Sequence, residues 1–123
     1  DVFKKISFDS ENKFHMIEDF EFSYRFNKIY PRSLYITSDA KLEHYFSPNN
    51  RDSNIRIVGR KIFEFIVFFK KNYKEKLSII SLFVLIMSNF ILVVFKTIFF
   101  LNINYFKSFS KGLLDGIKHK LVI

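Results

Sequence analysis

The chain has no cysteine, and only three of its 123 residues are glycine. Without cysteine there is no disulfide framework, no thiolate metal ligand and no cysteine nucleophile. The three glycines (Gly59, Gly112 and Gly116) do not form a GxGxxG or Walker-type sequence, so a glycine-rich loop that cradles nucleotide phosphates is also excluded. Thiol chemistry and loop-bound nucleotides are therefore not functions of these residues.

Basic residues are concentrated in the second half of the chain. Residues 1–55 have eight Lys and Arg against nine Asp and Glu, whereas residues 56–123 have twelve against three, which gives net charges of −1 and +9. The positive charges lie among Phe and Ile, as in IFEFIVFFKKNYKEK (62–76), a pattern typical of membrane-interface segments. We therefore expect anionic membrane lipids as partners, and no nucleic acid.

A long apolar run, LSIISLFVLIMSNFILVVF, extends from Leu77 to Phe95 without a charged residue, histidine, proline or glycine. As an α-helix it would be about 28 Å long, close to the roughly 30 Å of a bilayer's hydrocarbon core. The alternative is a buried core helix, but a chain of this length has too little protein to surround a helix that is apolar on all sides. We predict a lipid-buried helix.

Shorter elements are predicted before this run. A helix begins at Glu18 and ends at Pro31. Two short strands, SLYIT (33–37) and KLEHYF (41–46), flank a turn at Ser38-Asp39. An amphipathic helix is expected on each side of the apolar run, at about 55–72 and about 107–121. In the second helix, four residues share an apolar face opposite Lys111 and Lys118: Leu113, Leu114, Ile117 and Leu121.

Three places in residues 1–54 are candidates for chemistry. Glu18 and Asp19 are adjacent acids at a helix start, where one can be held by backbone N–H groups while the other acts as a base. Spacing alone favours the simpler explanation, that they cap and stabilise the end of the helix. His44 is a metal or phosphate ligand, or an ordinary half-buried side chain. Arg25 binds a phosphate, or pairs with Glu21 four residues earlier.

The order of these features resembles that of a known family. FDSENKFHMIEDFEFSYRF (8–26), DAKLEHYFSP (39–48), the basic helix, the apolar run and KGLLDGIKHK (111–120) together resemble the carboxy-terminal half of family 2 glycosyltransferases of the GT-A fold. The most similar members, rhamnosyltransferase-like enzymes among them, build bacterial surface polysaccharides. The resemblance implies an α+β fragment: the acceptor-side part of a GT-A domain with short helices and a β-hairpin, followed by amphipathic and membrane-associated helices. Its expected divisions are a GT-A part at 1–54, an interface helix at 55–75, a membrane helix at 76–104 and an amphipathic helix at 105–123.

The resemblance also implies roles for particular residues. Asp19 resembles the general base that deprotonates the acceptor hydroxyl, and Glu18 its positioning neighbour. Arg25 resembles the family's helix arginine, which is structural or binds the substrate diphosphate, and His44 resembles a histidine that contacts the diphosphate or the metal. The implied partners are a nucleotide-sugar donor and a lipid-linked saccharide acceptor, with Mg²⁺ or Mn²⁺ expected in the full-length enzyme.

Departures from the family pattern limit what these residues can do alone. Ser7 stands where the family usually has glycine, and Tyr45 follows His44 where many relatives have a second histidine. A strand-rich nucleotide-binding half with an Asp-x-Asp motif is not part of the sequence, and the chain begins at Asp1. We therefore expect a fragment that is inactive alone. The alternative function is a small, basic, membrane-anchored interaction protein without catalysis.

The resemblance places the chain at the cytoplasmic face of the cell membrane, and this raises a question of topology. A single crossing at 77–95 would export five lysines, against the positive-inside tendency: Lys96, Lys107, Lys111, Lys118 and Lys120. A re-entrant or interface-lying helix keeps both flanks in the cytoplasm. Both arrangements remain open from the sequence.

Overall fold

A computed structural model describes most of the chain, namely residues 4–9, 13–14, 16–35, 37–39, 41, 43, 53–72 and 76–121, with the side chains of 76–78 excepted. These residues form four α-helices: α1 (Glu18–Ile29), α2 (Asn54–Asn72), α3 (Lys76–Phe99) and α4 (Asn104–Lys118). The predicted helices at Glu18, at about 55–72 and along the apolar run are all present. The last helix begins and ends about three residues earlier than predicted.

The predicted α+β class is wrong, because the described residues contain helices and no strand. The predicted first strand is irregular at 33–35 and at 37, and the predicted second strand (41–46) lies mostly outside the described residues. Arg32 has a φ of 61°, which turns the chain, and Tyr35 is 88 % exposed. Residues of high β propensity need a neighbouring strand and a packed face, and a lone two-stranded hairpin is marginal in water.

Aromatic contacts attach α1 to α2. The rings of Phe20 and Tyr24 lie edge-on to Phe68, with centroids 5.2 and 5.1 Å apart. Ahead of α1, the Phe14 ring contacts Phe63 in the same manner at 5.3 Å. The amino-terminal segment and α1 therefore lie against the carboxy-terminal half of α2.

Helices α2 and α4 run parallel. The Ser108 hydroxyl donates a 2.6 Å hydrogen bond to the carbonyl of Ile55 near the start of both helices. At the other end, the Lys70 ammonium donates to the carbonyls of Ile117 and His119. Matching contacts at the two ends fix both the direction and the register of the pair.

Glycines allow the two backbones to touch. A Cβ on Gly112 would lie 2.7 Å from the carbonyl carbon and 2.8 Å from the Cα of Gly59, and nearer still to its carbonyl oxygen. A Cβ on Gly116 would lie 3.0 Å from the side chain of Ile66. Small residues spaced four apart permit this close approach. The contact depends on glycine for space, since none of the three has a positive φ.

Helix α3 runs back along both partners. It ends in a turn where Leu101 has a φ of 48° and where Asn102 accepts a 3.0 Å hydrogen bond from the backbone of Asn104. The Phe90 ring lies 6.2 Å from that of Phe106 and 5.8 Å from that of Phe109. The buried core of α2, α3 and α4 consists of Ile62, Ile66, Val93, Tyr105 and Phe109.

Most of α3 faces outward. Among its described side chains Val93 alone is buried, and residues Ile79–Phe99 are long and apolar enough to cross a membrane by length and composition. We call its exposed apolar residues the α3 outer face: Ile79, Ile80, Phe83, Val84, Met87, Ile91, Leu92, Phe95, Ile98 and Phe99.

The predicted apolar face of the last helix is only partly buried. Leu113 packs against the core, but Leu114 and Ile117 are 53 % and 56 % exposed, and Leu121 lies beyond the end of α4. Glycines make the contact with α2, so the leucine pattern does not mark the face that is buried. Leu114 and Ile117 instead add exposed apolar surface to that of α3.

Candidate functional site

The predicted acids line a groove where α1, α2 and α3 meet. Its volume is about 520 Å³, within the usual range for ligand pockets. Glu18 is half-buried and Asp19 is exposed, and α3 supplies Ser81 and Leu85 from its first turns. We call this the acidic groove, and its lining consists of Met16, Ile17, Glu18, Asp19, Phe20, Phe65, Phe69, Ser81 and Leu85.

Helix capping by a side chain does not explain the two acids. The N-cap residue of α1 is Ile17, and no side chain forms a cap hydrogen bond there. Glu18 and Asp19 do lie in the first turn, where the positive end of the helix dipole stabilises negative charge. The helix dipole therefore stabilises the two carboxylates, and the acidic groove places them beside a cavity that a ligand could enter.

The acidic groove combines apolar walls with carboxylates. Phe65 and Phe69 of α2 and Leu85 of α3 line it together with Glu18 and Asp19. A carboxylate within hydrogen-bond reach of a hydroxyl can act as its general base. The acidic groove therefore offers both carboxylates and apolar surface to a ligand that enters it.

Arg25 is engaged within the protein. Its Nε and Nη2 donate to the two carboxylate oxygens of Glu21, at 2.5 and 2.8 Å, and Nη2 also donates to the carbonyl of Ser7 at 2.7 Å. The hydrogen bond to Glu21 raises the pKa of Arg25 above its ordinary value, against a smaller opposing effect of burial. These bonds match the pairing with Glu21 that the spacing indicates, whereas diphosphate binding by Arg25 stays a prediction.

Removing only one charge of the Arg25–Glu21 ion pair is expected to destabilise the fold. Arg25→Gln leaves the carboxylate of Glu21, only 6 % exposed, without its bidentate partner. Because Arg25 is partly solvated, we expect a loss of about 1–3 kcal/mol in the free energy of unfolding, below that for a fully buried pair. Denaturant unfolding in micelles, followed by circular dichroism, measures it.

The double variant Glu21→Gln/Arg25→Gln should recover part of that loss, since neither charge is then left alone. Arg32→Gln, at an exposed arginine just after α1, is the control and should change stability by less than about 0.5 kcal/mol. Equal losses from Arg25→Gln and Arg32→Gln would contradict the structural role of Arg25.

An ion pair and a hydrogen bond join the amino-terminal segment to α2. Lys71 pairs with Asp9 at 2.5 Å, and the buried Glu64 accepts a 2.7 Å hydrogen bond from the backbone N–H of Phe14. Sequence reasoning missed both. The signal available was that Glu64 is the single acid in α2, a helix with several basic residues.

The other predicted site residue, His44, lies outside the described residues. Within the part of the chain that the structure describes, no group of three or more His, Cys, Asp or Glu side chains is arranged to hold a metal ion. The expected divalent cation and the role of His44 therefore stay predictions.

Comparisons with known proteins gave no relative: no family model, no curated protein and no solved structure matches the chain.

Proposed function

We propose that this chain is the acceptor-side, membrane-docking part of a glycosyltransferase. The full-length enzyme transfers a sugar from a nucleotide-diphosphate donor to a lipid-linked saccharide acceptor during synthesis of a bacterial surface polysaccharide. In this proposal Asp19 is the general base, Glu18 positions the acceptor or the base, and a divalent cation neutralises the leaving diphosphate. The enzyme acts at the cytoplasmic face of the cell membrane.

The observation that supports this proposal is the position of the acids beside α3. Ser81 and Leu85 are on the wall of the acidic groove, and the exposed Ile79 and Phe83 are on adjacent turns of the same helix. A lipid-linked acceptor held along the α3 outer face would bring its head group to this end of α3. Asp19 would then meet a hydroxyl that stays close to the bilayer surface.

The test is sugar transfer by the full-length protein with Asp19→Asn, for which we expect loss of turnover. A general base typically accelerates a reaction about 10²–10⁴-fold, so the rate of sugar transfer should fall by a factor in that range.

The packing of α3 supports an interface-lying arrangement over a single crossing. α3 contacts α2 and α4 along its length, at Leu82 and Ile86 near its start and at Phe90 and Val93 further on. α2 and α4 therefore lie beside α3 and would share its depth in the bilayer. Their charged residues occur at every level: Arg56, Arg60, Lys61, Glu64, Lys70 and Lys71 in α2, and Lys107, Lys111, Asp115 and Lys118 in α4.

A crossing along the membrane normal would put several of these charges in hydrocarbon. Each costs about 2.5–3.5 kcal/mol at the bilayer centre on insertion scales. With α3 lying in the interface plane, its outer face enters the acyl boundary while α2 and α4 stay at the head-group level. Leu114 and Ile117 extend the same apolar surface onto α4.

This arrangement predicts the same labelling for both ends of α4. Because the chain has no cysteine, Lys107→Cys and Lys118→Cys each create a unique thiol. Both positions are exposed, and in intact cells neither should react with a membrane-impermeant maleimide, whereas both should react after lysis. Labelling of either thiol from outside intact cells would contradict the interface-lying arrangement.

A second candidate function, a non-catalytic membrane-anchored interaction protein, also has support. The bundle of α2, α3 and α4 has its own core, to which neither Glu18 nor Asp19 contributes. A membrane anchor would need this bundle and the α3 outer face, but it would not need the carboxylates of Glu18 and Asp19. Absence of sugar transfer by the unaltered full-length protein would favour this second candidate.

A further inference from the structure

Basic side chains line a cleft between α2 and α4. Its volume is about 610 Å³. Arg56 and Arg60 line it from α2, Lys111 and Lys118 from α4, and Lys13 from the segment before α1. Asp115 is the one carboxylate among its lining residues. We call these five cations and their cavity the basic cleft.

The basic cleft is held in shape by the close glycine contact between α2 and α4. Gly59 and Gly112 lie in its lining, and there the backbones of α2 and α4 touch. Ser108, whose hydroxyl is bonded to the Ile55 carbonyl, also lines the cavity. Four of the five cationic side chains therefore project from two helices whose spacing is fixed, so their charges lie around one cavity before any ligand arrives.

Aromatic rings lie among these charges. The Arg60 guanidinium lies 5.0 Å from the centroid of the Phe14 ring, and the Lys13 ammonium lies 5.4 Å from it. The His119 ring contacts Phe63 edge-on at 5.3 Å. A cavity with several cations and aromatic walls is chemically matched to an anion attached to an organic group, in particular a phosphate ester.

The basic cleft opens away from α3. On α4, Lys111 is about 160° around the helix from Phe109 and Leu113, which pack towards α3. On α2, Arg60 is about 160° from Ile62, which packs in the same core. If the α3 outer face meets the membrane, the cleft is on the water side of the α2–α4 pair. Its ligand would arrive from solution.

We propose that the basic cleft binds the phosphate groups of a water-soluble phosphorylated ligand. The Arg60 guanidinium and the Lys111 ammonium, on opposite helices, would bind the phosphate oxygens through charge-assisted hydrogen bonds. This site is separate from the acidic groove and does not depend on glycosyltransferase activity. Asp19→Asn should leave phosphate binding unchanged, so the failure of one proposal is distinguishable from that of the other.

The test uses the full chain in micelles with inorganic pyrophosphate as the probe, measured by titration calorimetry at low salt. Arg60→Gln/Lys111→Gln is expected to lower pyrophosphate affinity about tenfold or more, since two charged hydrogen-bond donors are lost. The matched control is Lys61→Gln/Lys107→Gln, which removes two exposed charges from the same helices outside the cleft. It should change affinity less than twofold.

Equal losses in both variants, or no binding of pyrophosphate by the unaltered chain, would overturn the proposal. Should Arg60→Gln/Lys111→Gln unfold by circular dichroism, Lys118→Gln replaces it, because that side chain is exposed at the edge of the cleft. A second arm measures binding to phosphatidylglycerol and phosphatidylcholine vesicles. We expect the two paired variants to lose phosphatidylglycerol binding alike, and a selective loss in the cleft variant would overturn a water-soluble ligand in favour of a lipid head group.

Discussion

Replacing Asp19 by asparagine in the full-length protein is expected to abolish sugar transfer while leaving the fold intact. Asparagine keeps the size of the side chain but cannot take the proton from the acceptor hydroxyl. Loss of a general base should lower kcat by about 10²–10⁴-fold, with little change in the KM for the acceptor. Because Asp19 is exposed at the start of α1, the helical signal in circular dichroism should not change.

Two companion variants sharpen this measurement. Asp39→Asn removes an exposed carboxylate that is not in the lining of the acidic groove, and it should transfer sugar normally. Glu18→Gln should act mainly on the KM for the acceptor, since Glu18 is proposed to position and not to abstract. Full activity of the Asp19→Asn protein would reject Asp19 as the base, and an equal loss in Asp39→Asn would point to a general effect of charge.

Replacing Gly112 by valine is expected to have the largest effect on folding. The new side chain would meet the backbone of Gly59, which cannot move aside as a flexible side chain can. Overpacking of a core usually costs about 1–3 kcal/mol, and a clash between a new side chain and a neighbouring backbone should cost at least the upper end of that range. We therefore expect α2 and α4 to separate, with loss of cooperative unfolding in micelles.

The control is Lys107→Val, which introduces the same residue at an exposed position of α4. It should change stability by less than about 0.5 kcal/mol. A distance measured between spin labels on α2 and α4 reports the separation directly. A Gly112→Val protein that unfolds at the same denaturant concentration as Lys107→Val would show that the glycine contact is not needed.

The helices could be predicted from sequence because each has a local cause. The Phe22 and Phe26 spacing and Pro31 define α1, and the run from Leu77 to Phe95 contains nothing that breaks a helix. The pair between Arg25 and Glu21 likewise follows from a spacing of four. Features determined by residues within one or two helical turns of each other can therefore be predicted from the sequence.

Features that depend on residues far apart in the sequence could not be predicted in this way. Whether SLYIT forms a strand depends on a partner strand, and none is present in the described part of the chain. The acidic groove brings Asp19 next to Ser81, which is sixty-two positions away in the sequence and has no recognisable link to it.

The glycine contact between α2 and α4 has a recognisable signal in the sequence. Gly112 and Gly116 are four residues apart, the spacing by which small residues bring helices close together. The absence of a glycine-rich nucleotide-binding loop and the four-residue spacing are separate signals, and only the spacing bears on helix packing. Leu114 and Ile117, which belong to the predicted apolar face of this helix, are exposed, because α4 contacts α2 through its glycines.

The parallel contact of α2 with α4 also determines when the bundle can form during synthesis. Ser108 and Ile55 are 53 residues apart, and the whole of α3 is made between them. The nascent chain therefore presents the apolar α3 before α4 exists to cover its inner side. If the α3 outer face meets a membrane, translation at the bilayer would let α3 settle there first and α4 fold back onto a helix already in place.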